Sequence, residues 1–197
     1  MKINIQYSKY LDPIFIAYVH SYEKWANYPV PEKDFVLEKT EVFRKTWEVW
    51  GEKIISAIEG ITKLSYNKDI DVYIVSLNPR TYSNPIIIRS NCTSEEFVNL
   101  LTEELIHVIF DNGKLWKSIF KHAKWKYPDE NDSVLVHFIV YSIIDEVYKI
   151  IDKDFATTKI DTAISNKNSD YARAKELANV DKNYIIEALR DDTSDIK

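Results

Sequence analysis

Residues 93–108 read TSEEFVNLLTEELIHV, and the order of signals in this stretch decides how the chain is expected to fold. Thr93 followed three positions later by Glu96 is a capping box, in which hydroxyl and carboxylate each satisfy the other residue's backbone N–H. Phe97, Leu100, Leu101, Leu105 and Val108 then recur at helical spacing, which predicts a helix with one buried face. Near its end the helix carries Glu103 and His107. Four residues apart, they project side by side, one turn apart. Glu104 stands about 100° round the helix from Glu103. Asn112 and Gly113 are expected to end the helix.

Upstream of this helix, Ile70–Leu77 (IDVYIVSL) is a β-branched, partly alternating run and reads as a strand. The turn-rich loop Asn78–Pro85 follows, then a short strand at Ile86–Arg89. Closer to the N-terminus, Lys2–Tyr7 alternates apolar and polar and predicts another strand. Pro13 suits the first turn of a helix running to about Ala26. Tyr28-Pro29-Val30-Pro31 breaks it. A long helix is then expected from about Glu32 to Gly60, with Phe35, Val36, Phe43, Trp47, Trp50, Ile54, Ile55 and Ile58 as its stripe. Gly51 inside it marks either close packing or a bend. Downstream, a helix is predicted near Leu115–Lys124 and an intensely apolar one over Val134–Ile151. The tail from Thr157 is more polar, with a helix from Asp170 to Leu189. The fold class is therefore α+β and helix-dominated, with a small sheet of three or four strands packed on helices. Residues 1–156 are expected to form the main domain and 157–197 a C-terminal helical tail.

Composition narrows the function classes. A chain of 197 residues with 45% apolar content can bury one substantial core. Only three glycines and six prolines suit a mainly helical protein. The net charge of −5 argues against a nucleic-acid footprint, which needs clustered excess Lys and Arg. Lys114, Lys117, Lys121, Lys124 and Lys126 make only a small basic face. One cysteine, Cys92, leaves no internal disulfide and fits a reducing compartment. The start MKINIQYSKYLDP has no apolar leader core, and no apolar run approaches the roughly 20 residues that span a bilayer. A cytoplasmic location with no membrane partner is the expectation.

The strand, loop, capped helix and Glu103-Glu104-Leu105-Ile106-His107 together resemble the zincin metallopeptidases, particularly small gluzincin-like ones. The resemblance covers roughly Ile70 to Ile151 and is specific only at the helix. The family's pattern is His-Glu-x-x-His. The resemblance therefore implies a zincin-like domain in which His107 is a zinc ligand and Glu104 the general base. Glu103 occupies the first-ligand place and departs from the pattern. A carboxylate can ligate zinc. Two carboxylates beside one ion would nevertheless weaken its power to acidify water, and would make a harder ion such as manganese or magnesium somewhat less improbable, with zinc still the first choice. A peptide or protein would then be the substrate or partner.

The third ligand implied by the resemblance comes from a downstream helix. His137 stands there in Val134-Leu-Val-His-Phe-Ile-Val-Tyr-Ser-Ile-Ile-Asp-Glu. A helix apolar almost all round is buried, and its rare polar groups need partners. His137, Tyr141 and Asp145 fall at i, i+4 and i+8. His137 is the first choice as ligand, with Asp145 or Glu146 as alternatives, and Tyr141 is a candidate oxyanion donor. Two plainer readings stand beside these: Glu103 and His107 as a surface pair worth a few tenths of a kcal/mol, and His137 as a core histidine.

A di-iron carboxylate bundle would need Glu-x-x-His on two helices. Ala17, Ile119 and Val134 precede the other histidines by three, so no second copy exists. Cys92 reads as a structural thiol. Trp47, Trp50, Trp116 and Trp125 read as core. The loop Asn78–Pro85 and the strand Ile86–Arg89 could form an exposed edge to which an extended peptide adds as a strand.

Overall fold

The structure is a computed structural model and describes residues 1–110, 113–151 and 169–194. In chain order the elements are β1 (Ile3–Tyr7), α1 (Leu11–His20), a 3-10 turn at Glu23–Trp25, α2 (Lys33–Thr62), β2 (Ile70–Val75), β3 (Tyr82–Ser83) and β4 (Ile86–Arg89). There follow α3 (Ser94–Phe110), α4 (Lys114–Lys126), α5 (Asp132–Ile150) and α6 (Asp170–Ser194). The fold is α+β and helix-dominated, with one small four-stranded mixed sheet. The expected domain boundary at 156/157 lies outside the described residues.

The chain divides into two compact units, one of residues 1–51 and 66–104, the other of 52–65 and 105–197. The division falls within α2 and within α3, each a continuous helix.

The first unit holds the sheet, in the order β1-β2-β4-β3. β1 runs parallel to β2, with Ile5 opposite Val72, and β2 parallel to β4, with Ile74 opposite Ile88. Parallel neighbours require long crossovers, which α1 and α2 supply between β1 and β2. The near-continuous burial of Ile86, Ile87 and Ile88 fits a strand covered on both faces. β3 pairs antiparallel with β4 at Tyr82–Ile87 and Ser83–Ile86, and the Asn84–Pro85 peptide between them is cis. The two-residue β3 is thus the edge on that side. The edge expected of the loop Asn78–Pro85 and the strand Ile86–Arg89 therefore falls to the loop, through β3, while Ile86–Arg89 is interior, because β4 has β2 on one flank and β3 on the other.

Asp12 at the start of α1 is buried and ties the helix to the sheet. Its carboxylate accepts the Tyr7 hydroxyl at 2.9 Å and the Ser76 hydroxyl at 3.0 Å. Burial and that carboxylate push the Tyr7 phenol up to about 12. Helix α1 ends six residues before the expected Ala26, and a 3-10 turn takes over. In the core of this unit Phe43 of α2 stacks flat on Phe97 of α3, with ring centroids 4.3 Å apart. Gly51 serves close packing: a Cβ there would lie 2.5 Å from the Trp47 indole nitrogen. Trp47 is buried as expected, whereas Trp125 is exposed.

In the second unit, α6 packs along α5 and α4. Asn131 caps α5, its side-chain oxygen accepting the Val134 N–H at 3.0 Å. Along α5, Leu135, Phe138, Ile139, Val140, Ile143 and Ile144 are buried, as its all-round apolar character requires. Asp181 interrupts α6 with non-helical dihedrals and accepts the Tyr127 hydroxyl. Gly113 has φ −74° and precedes α4, so it does not act as the left-handed stop expected of it. Asn112 lies outside the described residues. No helix among the described residues is long and apolar enough to cross a membrane.

Candidate metal centre

Helix α3 starts as its sequence requires. The Thr93 N–H donates to the Glu96 carboxylate at 2.6 Å, and the Glu96 N–H donates to the Thr93 hydroxyl at 3.2 Å. The cap sets the phase of the helix from its first turn, and that phase places Glu103 and His107 on one stripe. Both are half-buried.

His137 joins them. One ligand atom from each of Glu103, His107 and His137 lies within 4.8 Å of the others. The two imidazoles meet edge to face, with ring centroids 5.5 Å apart and planes at 74°. The structure therefore brings together the three residues named from sequence as metal ligands, and the group could hold a metal ion. It is the one such group of His, Cys, Asp and Glu among the described residues.

The donor set suits a divalent cation. Two imidazole nitrogens and one carboxylate oxygen are a zinc combination, three protein ligands leaving one position open. A tetrahedral ion with bonds of about 2.0–2.1 Å holds its ligands roughly 3.3 Å apart.

The hydrogen bonding of His137 points the same way. Its Nδ1 lies 2.8 Å from the Ser133 carbonyl oxygen one turn earlier on α5. A carbonyl only accepts, so Nδ1 carries a proton, and in the neutral ring Nε2 carries the lone pair. Backbone orientation of the far nitrogen is how metal-ligating histidines are commonly held. Burial lowers the pKa of His107, which keeps that ring neutral and able to ligate. Glu103 moves the other way. Part of the residue reaches solvent, but its carboxyl group lies deep, and burial together with the neighbouring Glu104 carboxylate pushes its pKa up to about 8. A cation would replace that proton.

The remaining candidates divide. Glu104 is buried, and its carboxylate accepts the Ser83 hydroxyl of β3 at 2.6 Å. Tyr141 is also buried, with its ring 6.0 Å from that of His137. Asp145 is committed elsewhere, to Lys175 at 3.0 Å and Lys182 at 3.4 Å on α6. Glu146 pairs with Lys149 at 3.0 Å. Neither joins the group that holds His107, so His137 is the one α5 residue in that group. The Cys92 thiol donates to the Arg89 carbonyl oxygen, and burial pushes it up to about 12, the behaviour of a structural thiol.

Two neighbours of the site were not legible in the sequence. Ser83 belongs to a turn-rich loop without periodicity. Tyr171, in the first turn of α6, lies against His137 with ring centroids 4.3 Å apart and planes tilted at 58°, and only the packing of α6 on α5 brings it there. No family model, no curated protein and no solved structure matches this chain.

Proposed function

We propose that this protein is a zincin-like, metal-dependent peptidase-like protein with an altered ligand set, in which Glu103, His107 and His137 hold a divalent ion, zinc first. The observation that carries the reading is the approach of three ligating side chains from two separate helices to within 4.8 Å of one another. Coincidental surface pairs do not recruit a third ligand from a distant part of the chain.

A bound ion would supply Lewis-acid polarisation of a peptide carbonyl and easier ionisation of a water. In this reading Glu104 takes the proton from that water and returns it to the leaving amine. Tyr141 donates to the oxygen that gains negative charge. The substrate is a peptide or protein. Two adjacent carboxylates lower the positive potential at the centre, so turnover is expected to be slower than with three imidazole ligands.

A second reading has its own support. Glu104 is only 4% exposed and already accepts a hydroxyl hydrogen bond from Ser83, which leaves its carboxylate poorly placed to meet water. That favours a non-catalytic interaction protein retaining a zincin-derived fold without metal.

Metal analysis of the purified protein, followed by hydrolysis of a fluorogenic peptide library, separates these readings. Stoichiometric zinc lost in each of Glu103→Ala, His107→Ala and His137→Ala supports the centre. Hydrolysis abolished in Glu104→Gln with zinc retained supports the assigned base. Metal-free protein whose stability does not respond to added zinc overturns the centre altogether.

A further inference from the structure

Arg89, the last residue of β4, carries a guanidinium that is not fully satisfied. Its Nε is buried and lacks a hydrogen-bond partner, and among the described residues no ion pair reaches the group. Five N–H donors in a rigid fork demand acceptors, and a buried donor left unmet costs about 1–3 kcal/mol. Arg89 lines a cavity of about 170 Å³ in the first unit, with Trp25 and Tyr28 beside it and Asn78 and Asn91 as its amides. The Asn78 side chain is fixed, donating to the Ile87 carbonyl oxygen at 3.1 Å and accepting the Arg80 N–H at 3.4 Å. Asn91 stands exposed.

We propose that this cavity is a binding site for a carboxylate, held by the Arg89 fork, with the apolar group next to the carboxylate lying against Trp25 and Tyr28. Size argues for part of a ligand, since sites that enclose a whole drug-sized molecule run to roughly 300–1,000 Å³. Charge argues for a carboxylate over a phosphate. One guanidinium neutralises a single negative charge in a bidentate pair, whereas a phosphate monoester carries about −1.5 to −2 and would remain half unbalanced in a chain whose net charge is −5. The inference does not depend on the metal centre. A free organic acid and the C-terminus of a peptide offer the same chemistry.

The test is an NMR titration of the full chain with benzoate, N-acetylphenylalanine, its C-terminal amide and inorganic phosphate. The Trp25 indole and Asn91 amide signals report on the site. Saturable shifts with both carboxylates, and none with the amide, support the proposal. A stronger response to N-acetylphenylalanine than to benzoate identifies a peptide terminus, and the reverse a free acid. Arg89→Gln should weaken binding at least about tenfold, the loss expected for a charged hydrogen bond. Asn91→Asp changes an exposed residue and keeps the fold. It places an internal carboxylate beside Arg89 and should block the site to the same degree. Equal binding by wild type and both variants, tighter binding of phosphate than of either carboxylate, or no saturable shift overturns it.

Discussion

Replacing Glu103 with glutamine should stabilise the metal-free protein while destroying its affinity for zinc. The wild-type carboxyl titrates near 8 in the folded protein instead of near 4.5, because it is buried and faces Glu104. Between those values the folded state holds a proton that the unfolded chain has released. Stability is therefore greatest below about pH 4.5 and falls as pH rises, levelling off once pH passes the folded value of about 8. A displacement of this size corresponds to at most about 5 kcal/mol at about 1.4 kcal/mol per pH unit. That is a large share of the 5–15 kcal/mol stability of a typical domain.

Glutamine has the same shape and nothing to ionise. Chelator-treated wild type and Glu103→Gln should then differ little at pH 4, with the variant gaining several kcal/mol at pH 9. Guanidinium unfolding at a series of pH values measures this, and taking the difference between the two proteins cancels every other titrating group. With zinc present the order should reverse. The wild type gains binding energy that an uncharged amide cannot supply, and zinc affinity in the variant should drop by at least about a hundredfold, more than loss of an outer partner. A stability difference flat from pH 4 to 9 would refute the raised pKa of the buried carboxyl. Unchanged zinc affinity would refute its role as ligand.

Gly51→Ala pushes a methyl into the buried Trp47 indole, and overpacking of this kind should cost about 1–3 kcal/mol, read from the denaturant midpoint. Asp145→Ala strands Lys175, whose side chain is only 9% exposed. Loss of roughly 3–5 kcal/mol is expected, and paired replacement of Asp145, Lys175 and Lys182 by apolar residues should restore most of it. A native thiol titration should find Cys92 nearly unreactive at pH 8, given a pKa near 12, with full reaction only after unfolding. Fast labelling in the folded state would place that thiol at the surface.

How far the sequence carries depends on the distance over which each signal acts. The capping box at Thr93 and Glu96, the apolar period of α3 and the pairing of Glu103 with His107 are local, set by helix geometry within four residues. The buried character of α5 is local too, since an all-round apolar surface has one solution in water. These features were enough to put Glu103 and His107 on one helix face and to give the helix-dominated α+β class. The i, i+4, i+8 stripe on α5 was not enough to choose among its members. Eight residues advance about 12 Å along a helix axis, so His137 and Asp145 serve different neighbours: the first meets His107, the second two lysines of α6.

By itself, the chain's order of residues determined which side chains share a helix face and which helices must be buried, because backbone hydrogen bonding repeats every few residues regardless of what lies beyond. Only the tertiary structure decided the parallel pairing of β1, β2 and β4, the hydrogen bond from Ser83 to Glu104 and the unmatched Nε of Arg89. Those depend on encounters between segments tens of residues apart. Such encounters are governed by the summed packing of a core, and no local period encodes it.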